Sequence, residues 1–284
     1  AFTAIRRNLL RSFLTTLGVV IGVASVIAMV TLGRGATARV TSDISRLGKN
    51  LLIVVPGGDR RASTAGSARP FTLDDVRAIR TQVREVSEVA PSSGAAARVV
   101  AGNRNYGTGI TGADNGYFRV REWRVIRGRE FSDGELRAGS PVCILGETVR
   151  TELFGSGDPV GATIRVSSVS CKVIGVLEPK GRSTFGDDQD DFLAMPLSTF
   201  RRRITGTSHV GAIFVSARRD DLTEDAQHAI EALLRQRRRV HTGDEDDFIV
   251  RDLREITDVV QKVTAVLTML LGAIAAVSLL VGGI

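Results

Sequence analysis

Residues 13–32 read FLTTLGVVIGVASVIAMVTL and contain no charged side chain. As a helix, 20 residues rise about 30 Å, which is the thickness of the hydrocarbon core of a bilayer. Arg6, Arg7 and Arg11 precede this run, and cytoplasmic flanks of membrane helices are typically basic. The run therefore predicts a transmembrane helix whose N-terminal end lies in the cytoplasm.

A secretory signal peptide is the main alternative, because it also begins with basic residues and continues with apolar ones. The uncharged run is longer than a typical signal core, and the following TLGRGATARV lacks the usual small-residue cleavage site. A membrane span is therefore favoured.

A second uncharged run covers residues 263–284. The sequence ends inside it, so we expect a second transmembrane helix that is incomplete at Ile284. Small residues at a four-residue spacing allow helices to approach closely in lipid. We predict that helices pack, within the chain or across a dimer, at Gly18, Gly22, Gly272 and Ala276. The alternative is that these residues reflect only the general abundance of glycine and alanine in membrane spans.

The segments next to the two runs continue with apolar residues at helical spacing, among them Val40, Ile44 and Leu47. We predict that residues 34–48 and 252–262 are helical stalks that extend the two spans out of the membrane. The region between them would then lie outside the cytoplasm.

This middle region carries a strand–helix–strand pattern twice. The predicted elements are 51–55, 73–83 and 95–101 in the first copy, and 212–217, 224–238 and 248–251 in the second. Thr72 and Asp75 have the spacing of a capping box, and Thr223 is the expected N-cap of the second helix.

Short β runs separated by turn signals fill residues 114–200. The predicted fold is therefore α+β, with two transmembrane helices and their stalks flanking two βαβ units and an inserted, mostly-β subdomain. The predicted organisation is 1–33 for the cytoplasmic flank and first span, 34–48 for a stalk, 49–113 for the first βαβ part, 114–205 for the insertion, 206–251 for the second βαβ part, 252–262 for a stalk, and 263–284 for the second span.

No catalytic motif is present in the sequence. It contains no GxxxxGK[ST], so we expect the chain to have no ATP site of its own and no enzymatic activity. Residues 107–112 match GxGxxG, but they fall in a predicted hairpin with no helix expected after them, which argues against a dinucleotide site. The acidic runs 187–191 and 244–247 are interpreted as solvated loops, not calcium sites.

Cys143 and Cys171 both lie in predicted strands. In an oxidising compartment they can pair as a disulfide, and the alternative is two separate buried thiols. They make no zinc-binding spacing with the three histidines, so no metal site is predicted.

The chain is basic, with a net charge of +7. Almost all of this charge comes from Arg that is scattered among Asp and Glu, so no basic stripe forms and nucleic acid is not an expected partner.

Several segments, taken together and in order, resemble the MacB family of ABC-transporter permeases. They are RSFLTTLGVVIGVASVIAMVTLGRG, LGKNLLIVVPGG, RGREFSDGE, VCILGETVRTELFGSGDPVGATI, VIGVLEPKGRSTFGDDQDDFLAMPL, GDEDDFIV and LTMLLGAIAAVSLLVGGI. The resemblance covers nearly the whole chain.

The resemblance implies a dimeric inner-membrane permease whose extracytoplasmic domain has a Porter-like part of two βαβ units and an inserted Sabre-like part. ATP and Mg²⁺ would be bound by an ABC ATPase, fused or separate. ATP hydrolysis would move the stalks and drive substrate toward a periplasmic membrane-fusion adaptor and an outer-membrane channel, a process called mechanotransmission. Contact with membrane lipid is also implied.

Two relatives offer other functions. An FtsX-like permease controls a cell-wall hydrolase, and a LolC/E-like permease releases lipoproteins. The long insertion favours export over both.

Overall fold

The computed structural model describes residues 50–57, 69–183, 186–241 and 243–252, together with individual helical positions within 13–38 and 259–277. Two compact units result, one formed by Ala1–Asp43 with Arg254–Ile284 and the other by Ile44–Leu253. Among the described residues, no helix is both long enough and apolar enough to cross a membrane.

The described elements of the central unit alternate between strands and short helices. In chain order they are β1 (Leu51–Pro56), α1 (Leu73–Gln82), β2 (Val86–Ala101), β3 (Arg104–Ala113), α2 (Asn115–Val120), β4 (Val125–Gly128), α3 (Asp133–Ala138), β5 (Val142–Leu145), α4 (Glu147–Phe154), β6 (Thr163–Val166), β7 (Val169–Leu177), β8 (Phe192–Pro196), α5 (Leu197–Phe200), a π-helical turn (Arg201–Thr205), β9 (Ala212–Ala217), a 3₁₀ turn (Asp220–Leu222), α6 (Thr223–Arg238) and β10 (Phe248–Asp252).

The two predicted strand–helix–strand units are confirmed, and they interleave. Their strands lie in the order β10-β1-β9-β2, and every neighbouring pair is antiparallel. Both helices contribute to one buried cluster, with Ile79 from α1 and Ile230 from α6 packing among the inward side chains of β1 and β9. This is the ferredoxin-like arrangement of split βαβ units.

β2 is longer than the predicted 95–101 and belongs to two parts of the sheet. Its first half pairs with β9, and its second half pairs with β3 and β6. The pairings β2-β3-β8-β5-β7-β6-β2 close a ring of six strands. Side chains from this ring, from α4 and from Phe200 form a second core cluster, which includes Cys143 and Cys171.

A third cluster is rich in aromatic side chains. Tyr117 and Phe118 from α2 pack with Trp123, Phe131 and Phe192. The Tyr117 ring meets the Phe214 ring edge-on, with 5.1 Å between centroids. α2 is thereby attached to β9, on the sheet face opposite to α1 and α6.

The capping predictions have opposite outcomes. The Thr72–Asp75 capping box is confirmed, because the Asp75 N–H donates to Thr72 Oγ1 at 3.2 Å and the Thr72 N–H donates to Asp75 Oδ2 at 2.9 Å. Thr223 as an N-cap is wrong. The 3₁₀ turn leads directly into α6, so Thr223 is already helical and its hydroxyl donates back to the Asp220 carbonyl at 3.0 Å.

The inserted region is not mostly β, because four short helices, α2 to α5, lie among its strands. The expectation that no helix follows the GxGxxG stretch is wrong, since α2 begins at Asn115 under an Asp114 cap. The glycines serve packing: a Cβ on Gly112 would overlap the Phe200 side chain. Gly107 and Gly109 lie in β3 of the expected hairpin.

Candidate functional site

The entry and exit strands of the central unit lie side by side. β1 is its first described strand and β10 its last, and the two pair with Leu52 opposite Asp252. The predicted stalks, 34–48 and 252–262, flank these strands in the sequence, and most of their residues lie outside the described ones. Asp252, predicted as the first residue of the second stalk, is instead the last residue of β10. Both predicted stalks therefore join the sheet at the same end of one strand pair.

The other end of this strand pair is held to α6 by a buried arginine. Arg238 Nη1 donates to Asp247 Oδ2 at 2.7 Å, and the Arg238 side chain is 3% exposed. Its guanidinium also lies over the Phe71 ring at 4.3 Å and the Phe248 ring at 5.8 Å. The Gly57 N–H donates to the Asp247 carbonyl at 3.0 Å, so one aspartate links α6, β1 and β10.

Two further arginines at the end of α6 pair with aspartates. Arg235 binds Asp246 at 2.6 Å, and Arg237 donates to Asp75 at 3.0 Å. Burial pushes the pKa of Asp75 upward, but hydrogen bonds from Thr72 and Arg237 outweigh this, so the pKa lies below its ordinary value. The solvated-loop interpretation of 244–247 is therefore wrong for Asp246 and Asp247. We call these three pairs the arginine clasp.

The acidic run 187–191 is also structural. Asp190 is buried and accepts hydrogen bonds from the backbone N–H groups of Lys180 and Gly181, both at 2.8 Å. Asp191 accepts from Thr108 Oγ1 at 2.7 Å and Asp188 from Thr148 Oγ1 at 2.8 Å. These three carboxylates hold loops against the ring, so the solvated-loop interpretation is wrong for Asp188, Asp190 and Asp191, whereas Asp187 is exposed. Within the described residues, no cluster of candidate ligands suits a metal ion.

The terminal segments expose many apolar side chains. Those exposed are Phe13, Leu17, Val20, Val23, Ile27, Leu32, Val259, Val263, Val266, Leu267, Met269, Leu270 and Val277. The two segments approach each other at Gly33, where an added Cβ would lie 2.8 Å from Thr264 Cγ2. A soluble protein rarely exposes so many large apolar residues together.

The predicted packing residues have different positions in this unit. Gly18 and Ala276 lie outside the described residues. Gly22 is half-buried, and an added Cβ on Gly272 would meet open space. Packing at these four residues stays a prediction, whereas Gly33 marks a close approach that the sequence reasoning missed.

Cys143 and Cys171 are free, fully buried thiols on the neighbouring parallel strands β5 and β7. Burial, together with a hydrogen bond to the Cys171 thiol, holds the pKa of Cys143 well above its ordinary value. The two residues therefore lie together, as a disulfide would require, and the disulfide itself stays a prediction.

Trp123 lies at the centre of an aromatic and cationic group that sequence reasoning did not identify. The Arg121 guanidinium is 4.5 Å from its ring centroid and Lys180 Nζ is 4.9 Å away. Burial, together with the nearby Arg121 charge, lowers the pKa of Lys180 to about 8. Trp123 is the single tryptophan of the chain. The sequence feature that could have indicated this group is the pattern REWR at residues 121–124.

The sequence of this chain is similar to that of known transporter proteins. The family described as "MacB-like periplasmic core domain" matches residues 12–233. The macrolide export ATP-binding/permease protein MacB of Rhodospirillum rubrum is 40% identical over 287 residues, which cover 99% of this chain and 42% of that protein. The protein of the same name from Syntrophobacter fumaroxidans is 33% identical over 341 residues, covering 100% and 48%. The chain thus spans less than half the length of these relatives.

Two solved structures share the fold. The periplasmic region of MacB from Actinobacillus actinomycetemcomitans has a TM-score of 0.65 at 22% identity and covers 78% of this chain and 97% of its own. The extracellular domain of the noncanonic ABC-type transporter YknZ from Gram-positive bacteria has a TM-score of 0.58 at 20% identity, covering 71% and 100%. The chain therefore belongs to the family of MacB-like periplasmic core domains and carries the extracytoplasmic domain of a MacB-type ABC transporter permease.

Proposed function

We propose that this chain is the moving, extracytoplasmic part of an ABC exporter that works by mechanotransmission. A cytoplasmic ATPase, fused or separate, binds ATP and Mg²⁺ and moves two membrane helices. Their stalks transmit the movement to a domain with a Porter-like part, formed by the split βαβ units, and a Sabre-like part, formed by the strand ring.

The pairing of β1 with β10 is the observation that carries this proposal. Since both stalks join the sheet at Leu52 and Asp252, a displacement of either one reaches the same strand pair. The arginine clasp connects the other end of that pair to α6 through Arg238 and Asp247. A displacement of the stalks would therefore be transmitted through β1 and β10 to the layer formed by α1 and α6.

The exposed apolar residues of the terminal segments support their insertion in the inner membrane. Lipid is the medium in which exposed side chains such as Leu32 and Met269, at 70% and 77% exposure, are stable. The basic residues before Phe13 favour an orientation with the N-terminus in the cytoplasm.

The proposed partners are a second copy of the permease, the ABC ATPase, a periplasmic adaptor and an outer-membrane channel. The curated relatives are named macrolide export ATP-binding/permease proteins, so macrolides are the first substrates to assay. This part of the proposal rests on the relatives' names and on the family resemblance.

Distance measurements between paired stalks test the mechanism. Cys143→Ala and Cys171→Ala remove the native thiols, and a spin label at Lys262→Cys then reports the separation of the two copies in lipid. We expect ATP to change this separation by several ångströms, whereas a label at Asp133→Cys reports on the domain itself. An unchanged Lys262 separation with and without ATP would refute mechanotransmission.

A pull-down of the tagged full-length permease from envelope extracts tests the partners. An adaptor and a channel protein are expected. Recovery of a cell-wall hydrolase in their place would support the FtsX-like function, and recovery of lipoproteins would support the LolC/E-like one.

A further inference from the structure

The outer face of the strand ring is covered on one side and open on the other. Outward side chains of β5 and of the later part of β7, such as Ile144 and Ile174, pack into the aromatic cluster around Trp123. Outward positions on β2, β6 and the first part of β7 are exposed instead. We call this part the open ring face, and its exposed members on these three strands are Ala96, Arg98, Thr163, Arg165, Ser170 and Lys172.

The register of the strands places three cations of this face in a diagonal row. Val100 of β2 lies opposite Arg165 of β6, and Arg98, two residues before Val100, projects to the same side. Thr163 of β6 lies opposite Lys172 of β7, and Thr163 is two residues before Arg165. Each cation is therefore the diagonal neighbour of the next, at about 7–8 Å. We call these three residues the basic row.

The strands that carry the basic row supply almost no negative charge. β3, β6 and β7 contain no carboxylate, and the single one of β2, Glu88, lies near the start of that strand and is bound by Arg119 at 3.2 Å. Within the described part of the chain, the side chains of Arg98, Arg165 and Lys172 form no ion pair or hydrogen bond. The row is thus a local excess of unpaired positive charge.

The segments next to the Lys172 end bring few carboxylates. The turn before β6 carries Asp158, which accepts the N–H of Val160 at 3.1 Å. In the segment after β4, Arg129 binds Glu135 at 2.7 Å, so this pair is neutral. Glu130 in the same segment acts on the Arg119 side chain and raises its pKa. The positive charge therefore prevails along the row, and most of all at its Arg98 and Arg165 positions.

The spacing of the row fits a polypeptide in extended conformation. Every second side chain of a β-strand points the same way, and such side chains are about 7 Å apart. Carboxylates at alternate positions of a strand would therefore meet successive cations, and guanidinium groups bind carboxylates through paired hydrogen bonds. The residues beside the cations, Ala96, Thr163 and Ser170, are small, so a partner backbone can approach the sheet closely.

A protein segment suits this face better than a phosphate polymer does. Proteins that bind single-stranded nucleic acids combine basic grooves with aromatic side chains on which the bases stack. The exposed members of the open ring face include no aromatic residue. The face therefore offers ion pairing and close backbone approach without a stacking platform.

We propose that the open ring face docks an extended acidic segment of a partner protein. Carboxylates at three alternate positions of that segment pair with Arg98, Arg165 and Lys172. This docking needs neither nucleotide nor movement of the stalks, and it applies equally to an exporter and to a signalling permease. Its failure would therefore leave the proposed transport function untouched.

Three peptides of equal length test the proposal on the full chain in neutral detergent. GETETEG carries glutamates at alternate positions, GTEEETG has the same composition with the glutamates consecutive, and GQTQTQG is uncharged. Each carries the same dye, and fluorescence anisotropy measures binding at low ionic strength, where exposed charges are little screened. We expect GETETEG to bind about tenfold more tightly than GQTQTQG and about threefold more tightly than GTEEETG.

Two triple variants with the same change in net charge locate the binding. The first removes the basic row and should weaken GETETEG binding by about tenfold. The second removes three exposed arginines that lie outside the open ring face and should change binding by less than about twofold. The substitutions are Arg98→Gln, Arg165→Gln and Lys172→Gln in the first, and Arg84→Gln, Arg127→Gln and Arg203→Gln in the second. Circular dichroism verifies that both are folded.

Several results would overturn the proposal. Equal binding of the three peptides, or equal losses in the two variants, would show only the general attraction of a basic protein for anions. Tighter binding of a polyphosphate than of GETETEG would assign the face to a phosphate polymer. Self-association of the full chain that the first variant abolishes would assign it to a second copy.

Discussion

Glu122 occupies a backbone conformation that glycine adopts more readily. At φ 51° the left-handed region costs a residue with a Cβ about 1 kcal/mol, partly offset by the greater freedom of glycine in the unfolded chain. We therefore expect Glu122→Gly to raise the free energy of unfolding by about 0.5 kcal/mol. Urea denaturation measures this change.

Ser167 provides the control, because it is exposed and also has φ 51°. Ser167→Gly should give a similar gain in stability. If Glu122→Gly lowers the stability while Ser167→Gly raises it, the Glu122 side chain makes stabilising contacts that outweigh the backbone cost.

Lys180 makes the environment of Trp123 sensitive to pH. Burial lowers the pKa of Lys180 from 10.5 to about 8, so folding disfavours its charged form. Below pH 8 this cost is fully present, and stability rises as the pH increases from about 8 toward 10.5. Because Lys180 Nζ lies 4.9 Å from the indole centroid, Trp123 emission should titrate with a midpoint near pH 8.

Lys180→Met is expected to abolish this transition, since the other three lysines lie elsewhere in the sequence. A transition that persists in Lys180→Met would assign it to another group.

The arginine clasp makes α6 and β10 interdependent elements. Arg238 is almost fully buried against Asp247, whereas the Arg235–Asp246 pair is half exposed. Removing one partner of a buried pair leaves an uncompensated charge and costs about 3 kcal/mol. An exposed pair contributes less than about 1 kcal/mol. Arg238→Met should therefore lower the free energy of unfolding far more than Arg235→Ala, and equal losses in urea denaturation would contradict this.

The strand pair β5–β7 carries the two cysteines. In an oxidising compartment we expect Cys143 and Cys171 to transfer two electrons and two protons to a disulfide donor, which leaves as two thiols. The resulting cross-link should stabilise the unit by roughly 3 kcal/mol. Mass spectrometry of the unreduced, denatured protein measures it: alkylation of both thiols would refute the pairing, and Cys143→Ala supplies the fully reduced reference.

Long amphipathic elements were predictable from the sequence, and short ones were not. α1 and α6 were identified within two residues, because each has an apolar face and a charged terminus. α3, with six residues, spans fewer than two turns and has no periodic pattern to detect. The group around Trp123 could not be predicted, because Trp123 and Lys180 are brought together only by the pairing of β4 with β7.

At the scale of the whole molecule, the chain enters its central unit through β1 and leaves it through β10, and these two strands pair with each other. Since Leu52 of β1 pairs with Asp252 of β10, the proposed movement of the stalks would act on both strands of one pair. Transmission then depends on how the two terminal helices are held together, since independent movement of the helices would only separate β1 from β10.

Gly33 is the residue where this requirement can be tested. A leucine there would collide with Thr264, because even a Cβ would lie 2.8 Å from its Cγ2. Overpacking of this kind costs about 1–3 kcal/mol, so Gly33→Leu should lower the stability of the helix pair in a detergent titration of the full chain and reduce nucleotide-driven export. Gly35→Leu is the matched control, since open space surrounds that position. If both variants behave alike, the contact at Gly33 does not hold the helices together, and force must reach β1 and β10 independently.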